Sequence, residues 1–175
     1  MNLGSKFIPL DKSIHDRDLF DCGEKELNLF LKTKVAKHMK VGISNTLVIA
    51  SDTLLENRKH PISAFYIVTP SLIERKTLPA PLAKKLPHYP VPVFLIAQLA
   101  VDKKYQGKKL GQITLIKALE FLWAINQQMP AYAVVVDCLN EVVEKFYAKF
   151  GFEVLDTVNE KVKMYIPMKT VGELF

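Results

Sequence analysis

Residues 99–111 read L-A-V-D-K-K-Y-Q-G-K-K-L-G, an apolar strand that enters a glycine-containing basic turn and opens directly into a helix. No other stretch constrains the fold as tightly, because it demands strand, turn and helix in immediate succession. The first N–H groups of a helix have no acceptor within it, and the aligned peptide dipoles place partial positive charge there. A turn of this kind can hold a pyrophosphate through its backbone, without a metal. Gly107 gives it conformational freedom, and Lys108 and Lys109 add cations beside it. A glycine turn before a helix also occurs as plain packing, so this stretch alone leaves both readings open.

A second block decides between them. Residues 140–152 read N-E-V-V-E-K-F-Y-A-K-F-G-F, with Asn140 placed as an N-cap, Glu141 and Glu144 in the first turn, and Gly151 as the stop. Val142, Val143, Phe146 and Phe150 are expected to face inward. In this order the two blocks resemble the GNAT superfamily of N-acetyltransferases. Its phosphate-binding signature is Gln or Arg, two residues, Gly, one residue, then Gly or Ala. Here it runs from Gln106 to Gly111, with Lys109 in place of the first glycine. Lys109 is expected at negative φ, where lysine keeps its N–H donor without strain and adds a cation.

The resemblance implies an α/β fold: a central mixed, mostly antiparallel β-sheet flanked by helices, with a splayed pair of parallel strands at the cofactor cleft. It implies acetyl-CoA as cosubstrate and no metal. The main chain of Leu99, Ala100 and Val101 would pair with the pantetheine arm like an added strand, and one of those N–H groups would polarise the thioester carbonyl. Gln106, Gly107, Lys108, Lys109, Leu110, Gly111 and Gln112 would surround the diphosphate. Asn140 either contacts the cofactor or only caps its helix. Tyr147 falls at the position of the family's general acid, protonating the departing thiolate; an ordinary tyrosine pKa near 10 keeps it protonated at neutral pH.

Two further stretches, residues 20–31 and 90–102, are similar to the acetyltransferase toxins of bacterial type II toxin–antitoxin pairs, which acetylate the amino group of aminoacyl-tRNA. That resemblance implies aminoacyl-tRNA, a ribbon-helix-helix antitoxin and a second copy of the chain as partners. Gln98 departs from the arginine these toxins commonly carry just before the L-A-V segment. Two rivals stand beside this reading: an acetyltransferase of a small-molecule or protein amine with no toxin role, and a CoA-responsive binding module.

At 175 residues the chain fits a single domain over 1–175. Its net charge of +6 suits a polyanion, but CoA and RNA both qualify. Lys32, Lys34, Lys37, His38 and Lys40 crowd one segment, and Lys84, Lys85, Lys103, Lys104, Lys108 and Lys109 crowd others. They read either as a solvated helix face plus the CoA site or as a surface for RNA phosphates. Cys22 and Cys138 lack metal spacing and are expected as buried free thiols. His15, His38, His60 and His88 lie in polar or loop segments and are expected at the surface, in no nucleophilic triad. No apolar run approaches the roughly 20 residues of a membrane span, and no leader-like segment follows the N-terminus, so a cytoplasmic location is expected.

Periodicity places the elements. Residues 8–20 read as a short helix or turn. An amphipathic helix follows from Glu24, carrying Leu27, Phe30, Leu31 and Val35, and residues 46–51 and 62–68 form a hairpin. The proline-rich residues 70–92 read as a long loop with a helical turn near 81–86. A buried strand over 93–101 precedes a helix with Leu110, Ile113, Thr114, Lys117, Ala118, Phe121, Leu122 and Ile125 tracking one face, Lys117 at its edge. Strands over 132–138, 152–155 and 161–168 complete the chain.

Overall fold

The computed structural model describes residues 3–175, and these divide into two compact units, residues 3–69 with 98–118 and residues 70–97 with 119–175. In chain order the elements are β1 (Ile8–Pro9), β2 (His15–Asp16), α1 (Lys25–Thr33), α2 (Val35–Val41), β3 (Asn45–Ala50), β4 (His60–Ile73), α3 (Ala80–Ala83), β5 (Val91–Val101), α4 (Leu110–Asn126), β6 (Ala133–Cys138), α5 (Glu141–Ala148), β7 (Glu153–Val158), β8 (Lys161–Pro167) and α6 (Met168–Gly172). The strands form an eight-stranded sheet in the order β1-β3-β4-β5-β6-β8-β7, with β2 paired to β4. Pairing is antiparallel for β1·β3, β3·β4, β6·β8 and β7·β8, and parallel for β5·β6. This is the mixed, mostly antiparallel sheet with helices that the sequence implies.

In the first unit the hairpin of β3 and β4 is registered from Asn45↔Val68 to Ala50↔Ile62, with a bulge at Ile49/Ala50. Its core gathers Phe20, Leu31, Val35, Val48, Phe65 and Ala100. Leu31 and Val35 are fully buried, so the apolar stripe read in the sequence does face the sheet. The expected single helix is interrupted, however. Lys34 lies between α1 and α2, capping the first and starting the second. Residues 8–20 hold a turn, one of the two expected forms, in which the Ile14 and His15 N–H groups donate to the Asp11 carbonyl, and also the unexpected strands β1 and β2. Ile8 pairs with Val48 and His15 with His60, and such distant partners leave no local periodicity.

His15 is buried rather than at the surface. Its Nδ1 accepts the Asp11 N–H at 3.0 Å, so the ring is the neutral Nε2–H tautomer, and burial holds its pKa below the usual value. His60 donates from Nδ1 to the carbonyls of Ser51 and Thr53. Both rings line a cavity of about 320 Å³ in this unit, with Lys6 and Asp52 at its wall.

The second unit packs Val91, Val93, Ala133, Val135, Leu155 and Tyr165 into one core. The parallel register runs from Phe94↔Val134 to Ile96↔Val136. The proline-rich segment holds a 3-10 turn at Arg75–Thr77 and the short α3, so the expected helical turn forms just ahead of its expected place. The terminal helix α6 was not expected. Its Gly172 lies against the indole of Trp123, and a Cβ there would come within 2.5 Å of the ring. Along α4 the buried residues are Leu110, Thr114, Leu115, Ala118, Leu119 and Leu122, while Ile113 is 47% exposed and Ile125 lies at the surface. The inward seam is thus rotated from the expected face.

Candidate active site

In the first unit, β5 ends at Val101 and the chain makes a 3-10 turn at Lys103–Tyr105 before α4 begins at Leu110. Asp102 caps that turn: its Oδ1 accepts the Lys104 N–H at 2.9 Å. Gly107 has φ +75° and Lys109 φ +66°, with Lys108 between them at negative φ. The expectation of negative φ at Lys109 is therefore overturned. A residue at negative φ between two left-handed ones can turn successive N–H groups toward one side, as in the nests that bind anions. Lysine at this position carries a steric penalty that the superfamily's glycine avoids. Within α4, the first N–H with a main-chain acceptor is that of Ile113, bonded to the Lys109 carbonyl at 3.1 Å. The N–H groups of Leu110, Gly111 and Gln112 have no main-chain acceptor among the described residues, as the first turn of a helix dictates.

The side chains of the loop divide in use. Gln106 donates through Nε2 to the Val101 carbonyl at 2.8 Å and the Cys22 carbonyl at 3.0 Å, so its amide fastens the loop to the protein. The Lys108 ammonium lies 5.9 Å from the centre of the Tyr105 ring, a cation–π arrangement that keeps a positive charge at the loop. Lys108, Lys109 and Gln112 are exposed. In β5, Ala100 and Val101 are buried, Leu99 is half-buried, and the half-buried Gln98 has its Oε1 enclosed without a hydrogen-bond partner.

In the second unit, Asn140 accepts the Val143 N–H through Oδ1 at 3.0 Å, which makes it the N-cap of α5. The inward side of this helix differs from expectation. Val142 is 77% exposed, whereas Tyr147 is 6% exposed. Val143, Phe146 and Phe150 are half-buried. The Tyr147 ring meets Phe146 at 5.2 Å and Phe152 at 5.1 Å between centroids. Gly151, at φ +91°, turns the chain so that the N–H groups of Phe150 and Phe152 both reach the Tyr147 carbonyl, at 3.0 and 3.3 Å. The Gly-Phe that closes the second block thus fixes the tyrosine's backbone and one face of its ring together.

Burial foremost, and then the neighbouring Cys138, raises the Tyr147 pKa well above the usual phenol value. Burial also pushes Cys138 up to about 11, helped by the carboxylates of Glu144 and Asp137. Both groups are neutral at physiological pH, and the phenol holds its proton as an acid must. Cys22 and Cys138 are free thiols, the first half-buried and the second buried. No three His, Cys, Asp or Glu side chains among the described residues are grouped to hold a metal. No described helix is long and apolar enough to cross a membrane.

A model of the acetyltransferase (GNAT) family matches residues 82–152, a span that contains both the loop and Tyr147. Over that span the chain is similar to the acetyltransferases of the GNAT family. It is 28% identical over 139 residues to a tRNA-acetylating toxin of Mycobacterium tuberculosis, covering 79% of this chain and 78% of the relative. Among solved structures it resembles AtaT complexed with acetyl-methionyl-tRNAfMet at a TM-score of 0.85 and 28% identity, over 99% of both chains. It also resembles the structure of AtaTR bound with AcCoA, at a TM-score of 0.84 and 27% identity, over 99% of this chain and 98% of that one.

Proposed function

We propose that the chain is an acetyl-CoA-dependent N-acetyltransferase whose acceptor is the amino group of an aminoacyl-tRNA, and that it acts as a translation-blocking toxin. The observation that carries the donor half is the left-handed pair Gly107 and Lys109 running into the unpaired N–H groups of Leu110, Gly111 and Gln112. A diphosphate fits that set of donors, with Lys108 and Lys109 supplying countercharge. The acceptor half draws support from the tRNA-acetylating relative and the tRNA-bound neighbour, which match most of the chain.

In the proposed reaction the acceptor nitrogen attacks the thioester carbonyl carbon, forming the C–N bond, and the C–S bond breaks. Tyr147 gives its proton to the leaving thiolate, and the nitrogen's excess proton leaves to water. An α-amino group has an ordinary pKa near 8, so part of it is already neutral at physiological pH, which a lysine amine is not. A general base is therefore not demanded by the acceptor. Leu99, Ala100 and Val101 would receive the pantetheine arm through their main chain, and Asn140 keeps its cap whether or not it also meets the nucleotide. The proposal further takes residues 1–175 as one catalytic domain, located in the cytoplasm and neutralised by an antitoxin.

The test is to supply labelled acetyl-CoA with charged tRNAs, polyamines and peptides in parallel. Label on the aminoacyl group is the expected result; label confined to polyamines or peptides would replace the toxin reading with that of an ordinary amine acetyltransferase. In the same assay Tyr147→Phe is expected to keep acetyl-CoA affinity and lose about 100-fold or more in kcat, the usual worth of a general acid. Near-normal turnover in that variant would remove the phenol from the mechanism.

A further inference from the structure

The loop that opens into α4 is fastened to a turn some eighty residues earlier in the chain, residues 21–23, just ahead of α1. The Asp21 N–H donates to Asp102 Oδ2 at 3.1 Å, and the Lys103 N–H donates to the Asp21 carbonyl at 2.9 Å. The Asp21 carboxylate accepts from the Gly23 N–H and from Asn28 Nδ2, each at 2.9 Å, and pairs with Lys103 Nζ at 3.2 Å. The Cys22 carbonyl accepts from Gln106. Gly23 has φ +93°, and a Cβ there would touch the Lys103 side chain at 3.4 Å. Every residue from Asp102 to Gln106 thus meets either this turn or Asp102.

Two carboxylates beside an anion-binding loop would weaken it if their charge were free, since like charges a few ångströms apart repel even near a surface. Neither is free. Asp102, buried, has both oxygens on main-chain N–H groups, and Asp21 is engaged by a lysine, an amide and a main-chain N–H. The hydrogen bond from Gly23, then that from Asn28, then Lys103 hold the Asp21 carboxyl down at about 2, so the arrangement is intact at any physiological pH.

We propose that Asp21, acting with Asp102, is a positioning residue for the donor's diphosphate: it sets the main chain of residues 102–106 so that the N–H groups after Gly107 converge, without itself meeting the nucleotide. This rests on the acetyl-CoA reading above. Because the Asp21 side chain is half exposed, its substitution is compatible with folding, which a thermal melt checks.

The experiment compares wild type, Asp21→Ala and Asp21→Asn on two donors, acetyl-CoA and S-acetyl-N-acetylcysteamine, a thioester without a diphosphate, with charged tRNA as acceptor. Asp21→Ala is expected to raise KM and calorimetric Kd for acetyl-CoA about tenfold, as loss of one charge-assisted hydrogen bond would, with kcat within about twofold. Asp21→Asn, which retains an acceptor oxygen, is expected to fall between the two. Turnover of the short donor is expected to be unchanged. An equal loss on both donors, or an unmoved acetyl-CoA Kd, would overturn the positioning role alone. Absence of acetyl-CoA binding by the wild type would overturn the donor reading and this inference with it.

Discussion

Lys109 shows how far a fold can override a residue's own preference. At φ +66° its side chain crowds the backbone, at a cost of about 1–2 kcal/mol relative to an unstrained conformation. Glycine would remove that strain but free the unfolded chain by about 0.4–1 kcal/mol. The expected net effect of Lys109→Gly is a stabilisation of up to about 1.6 kcal/mol, read as a higher urea midpoint at unchanged m-value. The lost cation is expected to weaken acetyl-CoA binding in the same variant, so stability and affinity should move in opposite directions. Side-chain identity argued for an ordinary φ here; the superfamily's glycine at this position was the signal for the left-handed one. Gln106 gives a parallel lesson. Its place in the signature suggested a ligand contact, yet its amide is hydrogen-bonded to Cys22 and Val101, and only three-dimensional proximity brings Cys22 near.

At the scale of elements, α5 was legible in its ends and misjudged in its face. Asn140, the acidic first turn and Gly151 all act as read, because caps depend on a few adjacent residues. The inward side runs through Val143, Phe146, Tyr147 and Phe150, at spacings of three and four; hydrophobicity alone had drawn in the adjacent Val142, which is exposed. Since the Asn140 side chain is engaged by the Val143 N–H, Asn140→Ala is expected to cost about 1 kcal/mol of stability and to leave acetyl-CoA affinity within about twofold. Denaturant titration and calorimetry on the one variant check both halves, and a large loss of affinity would restore the cofactor contact left open by the sequence. The long strands β3 to β6 and α4 were readable because their apolar runs are continuous. The two-residue strands β1 and β2 were not, since each is defined by its partner and carries no period of its own.

For the molecule as a whole, charge is the property that the acceptor proposal engages. A net +6, with exposed lysines on α2 and around the loop, provides phosphate contacts with no need of base readout. Binding to charged tRNA is therefore expected to weaken steeply between 50 and 200 mM salt, by about 10³-fold if six phosphates are engaged. Acetyl-CoA affinity should change far less over that range, and filter binding beside calorimetry separates the two. A tRNA affinity indifferent to salt would argue for recognition by shape or base contacts instead. The sheet and its main helices were legible through the family resemblance that two sequence blocks carry, and those blocks stand out because strand-turn-helix and capped helix are local patterns. The acceptor was not, since lysines mark any polyanion alike.

Trp123 is the chain's single tryptophan, and its ring is stacked where Gly172 leaves bare backbone. Its fluorescence accordingly reports on one place: detachment of the last helical turn changes the indole's surroundings before any other chromophore of its kind can confuse the signal. The protein comes with an intrinsic optical probe of its own C-terminal seam.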